Sequence, residues 1–140
     1  METKTNKVVL LNKREFKEKI FNYSVSRDWD YKGEMPAVID FYADWCGPCK
    51  AVAPLLGQLS LEYDGKVKFY KVNTEKDPEV ARIFGISSIP TLLFISPKSG
   101  SPTVVRGAQP ISSLRKNIER ILPGEKSEKS FLKGLFSFSK

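Results

Sequence analysis

The fold is decided by residues 37–50, which read Ala37-Val38-Ile39-Asp40-Phe41-Tyr42-Ala43-Asp44-Trp45-Cys46-Gly47-Pro48-Cys49-Lys50. The first half is a continuous apolar run with one acid in it, bounded by a proline and a turn. Such a run is typical of a central strand buried on both faces. The second half opens a helix that we expect to extend to about Tyr63, and Pro48 suits its first turn. The stretch therefore predicts a buried strand that leads directly into a helix, with two cysteines at the junction.

Patterning on either side of this stretch predicts the rest of one domain. Apolar spacing and turn residues predict strands at residues 8–11, 66–72, 91–95 and 104–105, and helices at residues 13–21, 77–84 and 110–122. Asn12 is placed to cap the first helix. Residues 22–35 have no clear period and are interpreted as a connection. Alternating strands and helices imply parallel pairing, and a final hairpin adds antiparallel strands, so the sequence predicts an α/β fold.

Composition excludes several classes of function. The net charge of +7 comes from scattered lysines, without the basic run that nucleic-acid binding requires. The chain has no histidine, which excludes a Ser/His/Asp triad and a Cys/His pair. Its 2 cysteines are too few for a structural zinc site, which takes four ligands. We therefore expect neither a metal nor a nucleic-acid partner.

Hydropathy and the N-terminus bear on the compartment. No stretch approaches the ~18 apolar residues of a membrane span. The longest early apolar run, residues 8–11, is too short for the core of a signal peptide. Because the sequence begins with Met1, it predicts a cytoplasmic protein. The alternative is a periplasmic protein whose leader has been removed.

Cys46 and Cys49 are spaced for thiol–disulfide exchange. Cysteines at i and i+3 of a helix share one face and are close enough to form a disulfide. The unpaired N–H groups at a helix N-terminus favour negative charge, so Cys46 is predicted to be the attacking thiolate. Cys49, one turn further in and more buried, is predicted to react second. The alternative, a pair of ordinary core or metal-binding cysteines, is disfavoured by their position between a buried strand and a helix start.

Three further residues, Asp40, Lys71 and Pro90, each have more than one interpretation. Asp40 lies inside an apolar strand, where a carboxylate is costly unless it is paired or protonated. It is either a salt-bridged structural acid or a general base that takes the proton from Cys49. Lys71 is either its partner or a solvated lysine. Pro90 precedes an apolar strand and marks an entry turn, where a cis bond is one option.

Two blocks of residues resemble the thioredoxin family. One extends from Val38 to Lys50, and the other reads Phe84-Gly85-Ile86-Ser87-Ser88-Ile89-Pro90-Thr91-Leu92. Both occur in the family's order and separation, and the resemblance covers about residues 8–122. It implies the thioredoxin fold, a central mixed sheet of four to five strands flanked by helices on both faces. It also implies the activity of a protein-disulfide reductase.

The resemblance further implies roles for single residues. Cys46 resembles the family's nucleophile and Cys49 its resolving cysteine. Asp40 resembles the buried acid beneath the active site, and Lys71 resembles the partner of that acid. Pro90 resembles the cis-proline that faces the disulfide. The surface that holds an extended substrate segment is implied to comprise Trp45, Gly47, Pro48, Ile89, Pro90, Gly107 and Ala108.

Cofactors and partners are implied in the same way. The resemblance implies no bound cofactor. The Cys46–Cys49 disulfide would be reduced by NADPH through the flavin-containing thioredoxin reductase, and the clients would be proteins with disulfides. We expect a monomer. The dipeptide Gly47-Pro48 is typical of reducing members, whereas oxidases and isomerases usually place histidine there. An extracytoplasmic oxidase or isomerase stays an alternative, as does a non-catalytic binding module with this fold.

The chain departs from the family pattern in three places. Tyr42 stands where many relatives carry tryptophan, and residues 22–35 form a longer connection than compact members have. The third departure is a basic amphipathic tail at residues 123–140, beyond a thioredoxin domain at 8–122 and a flexible N-terminus at 1–7. One hypothesis gives the tail a membrane-surface or partner-docking role. We favour a frayed end or a segment that folds back, because the tail is short and contains a helix-weakening glycine.

Overall fold

A computed structural model describes residues 6–98 and 100–122. In these residues the chain forms β1 (Val8–Leu10), α1 (Lys13–Lys19), β2 (Ala37–Tyr42), α2 (Gly47–Glu62), β3 (Lys68–Asn73), α3 (Pro78–Ile83), β4 (Thr91–Ile95), β5 (Thr103–Arg106) and α4 (Ile111–Arg120). This is the element order that the sequence predicts. The proposed tail at residues 123–140 and most of the proposed flexible N-terminus lie outside the described residues.

The strands form one mixed sheet in the order β1-β3-β2-β4-β5. Strands β1 and β2 run parallel to β3, whereas β4 is antiparallel to both β2 and β5. Five strands of mixed direction with helices packed on them confirm the predicted fold class. The parallel pairing of β2 with β3 sets Asp40 directly opposite Lys71.

Strand β2 is buried on both faces of the sheet, as its apolar sequence predicts. Successive side chains of a strand point to opposite faces. Ile39 and Phe41 belong to the core that includes Phe16 of α1 and Val80 of α3. Val38 belongs to the opposite core, which α2 and α4 supply through Val52, Leu56, Leu59, Leu114 and Ile118. By the same alternation, Asp40 lies on the face covered by α2 and α4.

Local hydrogen bonds explain where two elements begin. Asn12 caps α1 as predicted: its side chain accepts from the Glu15 N–H at 2.8 Å, and the Glu15 carboxylate accepts from the Asn12 N–H at 3.0 Å. At the end of α2, the Val67 N–H donates to the Tyr63 carbonyl at 3.0 Å. Gly65 makes that turn possible with its φ of +85°. Because this turn occupies the chain up to Val67, β3 starts at Lys68, two residues later than the predicted strand.

The connection at residues 22–35 is packed against the α1 and α3 face by aromatic rings. Trp29 lies 5.0 Å from Phe21 and 6.0 Å from Phe84 between ring centroids, and Tyr31 stacks on Trp29 at 6.3 Å. The Lys32 N–H also donates to the Ile20 carbonyl at 2.8 Å. The long connection therefore extends the core beside α1.

Candidate active site

The cysteine pair lies where β2 gives way to α2. Cys46 is the N-cap of α2, with an extended backbone, and a disulfide joins it to Cys49 with 5.3 Å between the Cα atoms. The Cys49 N–H donates to the Cys46 sulfur at 3.2 Å. In the dithiol form, the same N–H and the helix N-terminus would stabilise a thiolate on Cys46.

Both cysteines are almost fully buried in the disulfide form. Cys46 is 4% exposed and Cys49 is 3% exposed, so the expected contrast in burial is absent. Both cysteines form a small cluster with Ala43, and Tyr42 and Ile89 pack against this cluster. A client disulfide can therefore reach the Cys46 sulfur only past the residues that pack against this cluster.

Two loops contain further residues of the predicted client surface, and the first of them reaches the disulfide. The Ile89–Pro90 peptide bond is cis, as the resemblance implies. The Cys46 sulfur lies 3.8 Å from the carbonyl oxygen of Ile89. The Pro90 carbonyl accepts from the Gly107 N–H at 2.8 Å, and Gly107 has a φ of +89° that favours glycine. Exposed Ala108 comes next along the chain.

Trp45 is the most exposed aromatic residue beside the cysteines, at 66%. Its indole N–H donates to the Glu75 carboxylate. Glu75 is held in turn by its own N–H, which donates to the Asn73 side chain at 2.9 Å. Sequence analysis missed Glu75. Its position just after β3 was a signal, because the carboxyl ends of β2 and β3 lie at the same edge of the sheet.

Asp40 is a buried carboxyl group behind the disulfide. It is 4% exposed, and its Oδ1 atom has no hydrogen-bond partner among the residues that the structure describes. Burial raises the pKa of Asp40 to about 7, although the charge of Lys71 acts in the opposite direction. A carboxyl group with such a pKa can both accept and release a proton near neutral pH.

Lys71 faces Asp40 in the sheet without pairing with it directly. No salt bridge within 4.0 Å joins the two among the described residues. The Lys71 ammonium instead lies over the Tyr42 ring, 5.4 Å from its centroid. A cavity of about 150 Å³ is lined by Asp40, Lys71 and Cys49, among others. The structure thus brings all three around one space, with Lys71 half-buried rather than freely solvated.

The described part of the chain has neither a metal-binding cluster nor a membrane-spanning helix. Residues 6–98 and 100–122 contain no group of three or more His, Cys, Asp or Glu side chains that could hold a metal ion. Within the same ranges, no helix has both the length and the apolarity to cross a membrane.

Comparison with known proteins identifies the family. Residues 7–120 match the family model described as Thioredoxin. The chain is 42% identical to thioredoxin of Borreliella burgdorferi over 99 residues, which cover 71% of this chain and 84% of that protein. It is 43% identical to thioredoxin 1 of Nostoc sp. over 90 residues, 64% of this chain and 82% of that one. The crystal structure of chloroplastic thioredoxin z superposes with a TM-score of 0.70 at 25% identity, covering 87% of this chain and 100% of that chain. The chain therefore belongs to the thioredoxin family of thiol–disulfide oxidoreductases and functions as a protein-disulfide reductase.

Proposed function

We propose that Cys46 attacks client disulfides, that Cys49 resolves the mixed disulfide, and that Asp40 takes the proton of Cys49. One observation supports this assignment above all. The Cys46–Cys49 disulfide lies at the N-terminus of α2, with the buried carboxyl group of Asp40 in the cavity behind it. Cys46 thus lies at the helix N-terminus, Cys49 lies next to it, and the Asp40 carboxyl group lies behind Cys49, which is the order in which the proposed steps would use them.

In the first step, the Cys46 thiolate attacks one sulfur of the client disulfide. A bond forms between that sulfur and Cys46, the client's S–S bond breaks, and its other sulfur leaves as a thiolate that takes up a proton. The Cys49 N–H, which points at the Cys46 sulfur, supports the attacking charge.

In the second step, Cys49 must lose its proton before it can attack. Asp40 and Cys49 line the same cavity, and its volume of about 150 Å³ leaves room for water to relay the proton. The Cys49 thiolate then attacks the Cys46 sulfur, the protein disulfide forms, and the client sulfur leaves. The client gains two electrons and two protons, and the dithiol of the protein becomes a disulfide.

The client segment would lie along the rim of the disulfide. The surface comprises Trp45, Gly47, Pro48, Ile89, Pro90, Gly107 and Ala108. Support comes from the exposed indole of Trp45 and from the Ile89 carbonyl beside the Cys46 sulfur. Backbone groups in such a loop can pair with an extended segment as an added strand.

The family supports a proposal for how the disulfide is recycled. Thioredoxin reductase, a flavoprotein driven by NADPH, would return the disulfide to the dithiol. We place the protein in the cytoplasm as a monomer, with residues 8–122 as its catalytic domain. Periplasmic location would go with the alternative oxidase or isomerase function.

Reduction of insulin disulfides with dithiothreitol as the electron source tests the proposal. Wild-type protein should accelerate precipitation of the reduced insulin, and Cys46→Ser should abolish the acceleration while its circular dichroism spectrum is kept. Cys49→Ser should instead accumulate a mixed disulfide visible on a non-reducing gel. Equal accumulation through Cys49 in the Cys46→Ser variant would contradict the assignment of the two roles.

A further inference from the structure

Asp40, Tyr42 and Lys71 form a triad on the face of the sheet that α2 covers. Asp40 and Tyr42 are two residues apart in β2, so their side chains share a face. Lys71 is the register partner of Asp40 in the neighbouring parallel strand. All three line the cavity that reaches Cys49.

The Lys71 ammonium has two competing neighbours in this triad. One is the Asp40 carboxyl group, whose Oδ1 atom is buried and finds no hydrogen-bond partner within residues 6–98 and 100–122. The other is the Tyr42 ring, whose centroid lies 5.4 Å away and therefore within the range of a cation–π interaction. A salt bridge to Asp40 within 4.0 Å is absent from these described residues. The ring, rather than the carboxyl group, is thus in contact with the ammonium.

We propose that Tyr42 is a positioning residue, whose ring holds the Lys71 ammonium out of direct contact with Asp40. A directly paired ammonium would stabilise the carboxylate and weaken it as a base. The ring keeps the positive charge close enough to act on Asp40 through space, yet leaves the carboxyl group unpaired. This inference deepens the proposed function, because it concerns the group that would take the proton of Cys49.

Other charged and titratable groups lie around Asp40, but none of them takes the place of Lys71 as the positive charge that acts on its carboxyl group. Asp44, in the junction before α2, lines the same cavity, but it is an acid and not a cation like Lys71. Lys50 of α2 also lines it but is exposed. The Cys49 thiol faces the cavity in the dithiol form, and β4 places apolar Leu92 opposite Asp40. Among these groups, Lys71 is the charge that acts on the pKa of Asp40.

Titration of the Asp40 carboxyl group tests the proposal directly. The midpoint is read by carboxyl ¹³C NMR on ¹³C-aspartate-labelled, oxidised protein. Tyr42→Leu removes the ring, so the ammonium should turn to Asp40 and lower the midpoint by about one to two pH units. Tyr42→Phe, the matched control, keeps the ring and should keep the wild-type midpoint. An unchanged midpoint in Tyr42→Leu would overturn the proposal.

A double variant distinguishes the lysine from a change in solvation. If Lys71 carries the effect, Tyr42→Leu should no longer lower the midpoint in a Lys71→Met background. The same fall in that background would overturn the proposal, because the cause would then be water entering beside Asp40.

A second readout separates this inference from the proposed function. When the reduced protein reacts with a coloured aromatic disulfide, the first thiolate release reports attack by Cys46 and the second reports resolution by Cys49. The pH midpoint of the second phase should follow the NMR midpoint across the variants. A second phase that ignores an NMR shift would refute Asp40 as the base, while the position of Lys71 over Tyr42 would stand.

Discussion

Replacement of Asp40 by asparagine should stabilise the protein in a strongly pH-dependent manner. Asparagine has nearly the same shape but carries no charge, so the cavity and the packing of β2 are kept. Asp40 is 4% exposed, and its Oδ1 atom has no partner in the described part of the chain, so its carboxylate is a poorly compensated buried charge.

The magnitude follows from the pKa of Asp40, which burial raises from 3.8 to about 7. Below about pH 4 the group is protonated in both the folded and the unfolded chain and costs nothing. Between pH 4 and 7 the unfolded chain ionises while the folded chain holds its proton. The free energy of unfolding should therefore fall by about 1.4 kcal/mol per pH unit from this group. Above pH 7 the loss should level off at about 4 kcal/mol.

Urea unfolding of the oxidised wild type and Asp40→Asn at several pH values from 4 to 8.5 provides the assay. Other groups titrate alike in both proteins, so the difference in unfolding free energy isolates Asp40. The difference should grow in favour of the variant up to pH 7 and then remain constant. A difference that does not vary with pH would refute the account of Asp40 as a desolvated acid.

Substitutions at three further positions test the core, a helix cap and the client surface. Phe16→Ala removes a fully buried ring and should lower the free energy of unfolding by about 3–5 kcal/mol in urea titrations; a loss below about 1 kcal/mol would show that α1 is not packed as described. Asn12→Ala removes the side chain that accepts from the Glu15 N–H, while the backbone N–H of residue 12 can still donate to the Glu15 carboxylate, and it should cost about 1 kcal/mol; Asn12→Asp should restore most of this loss. Trp45→Ala should raise KM for insulin several-fold and leave the reduction potential within a few millivolts of wild type; an unchanged KM would remove Trp45 from the client surface.

Much of the fold follows from local patterns in the sequence. The apolar run of β2 and the period of α4 depend on contacts that any core would make, so their bounds agree to within a few residues. Asn12 signals a cap by its side-chain chemistry, and Gly65 signals a turn by its freedom at positive φ. Such signals act over one or two turns of chain, and sequence inspection detects them.

Features that depend on distant contacts were not visible in that way. Residues 22–35 have no period because their packing comes from rings of separate elements, such as Phe84 against Trp29. Strand pairing can predict that Lys71 lies opposite Asp40. Whether its ammonium contacts the carboxyl group or the Tyr42 ring depends on side-chain rotamers, which the sequence does not show. The similar burial of both cysteines likewise depends on Ile89, which lies 43 residues from Cys46 in the chain.

The reduction potential of the Cys46–Cys49 pair tests the central claim most directly. The protein would be equilibrated in dithiothreitol redox buffers, and the oxidised fraction read by thiol trapping. For a protein-disulfide reductase we expect, from the family, a potential well below about −240 mV, which would let the dithiol reduce clients against a cytosolic thiol pool. A potential between about −180 and −120 mV, the range of isomerases and oxidants, would contradict the account.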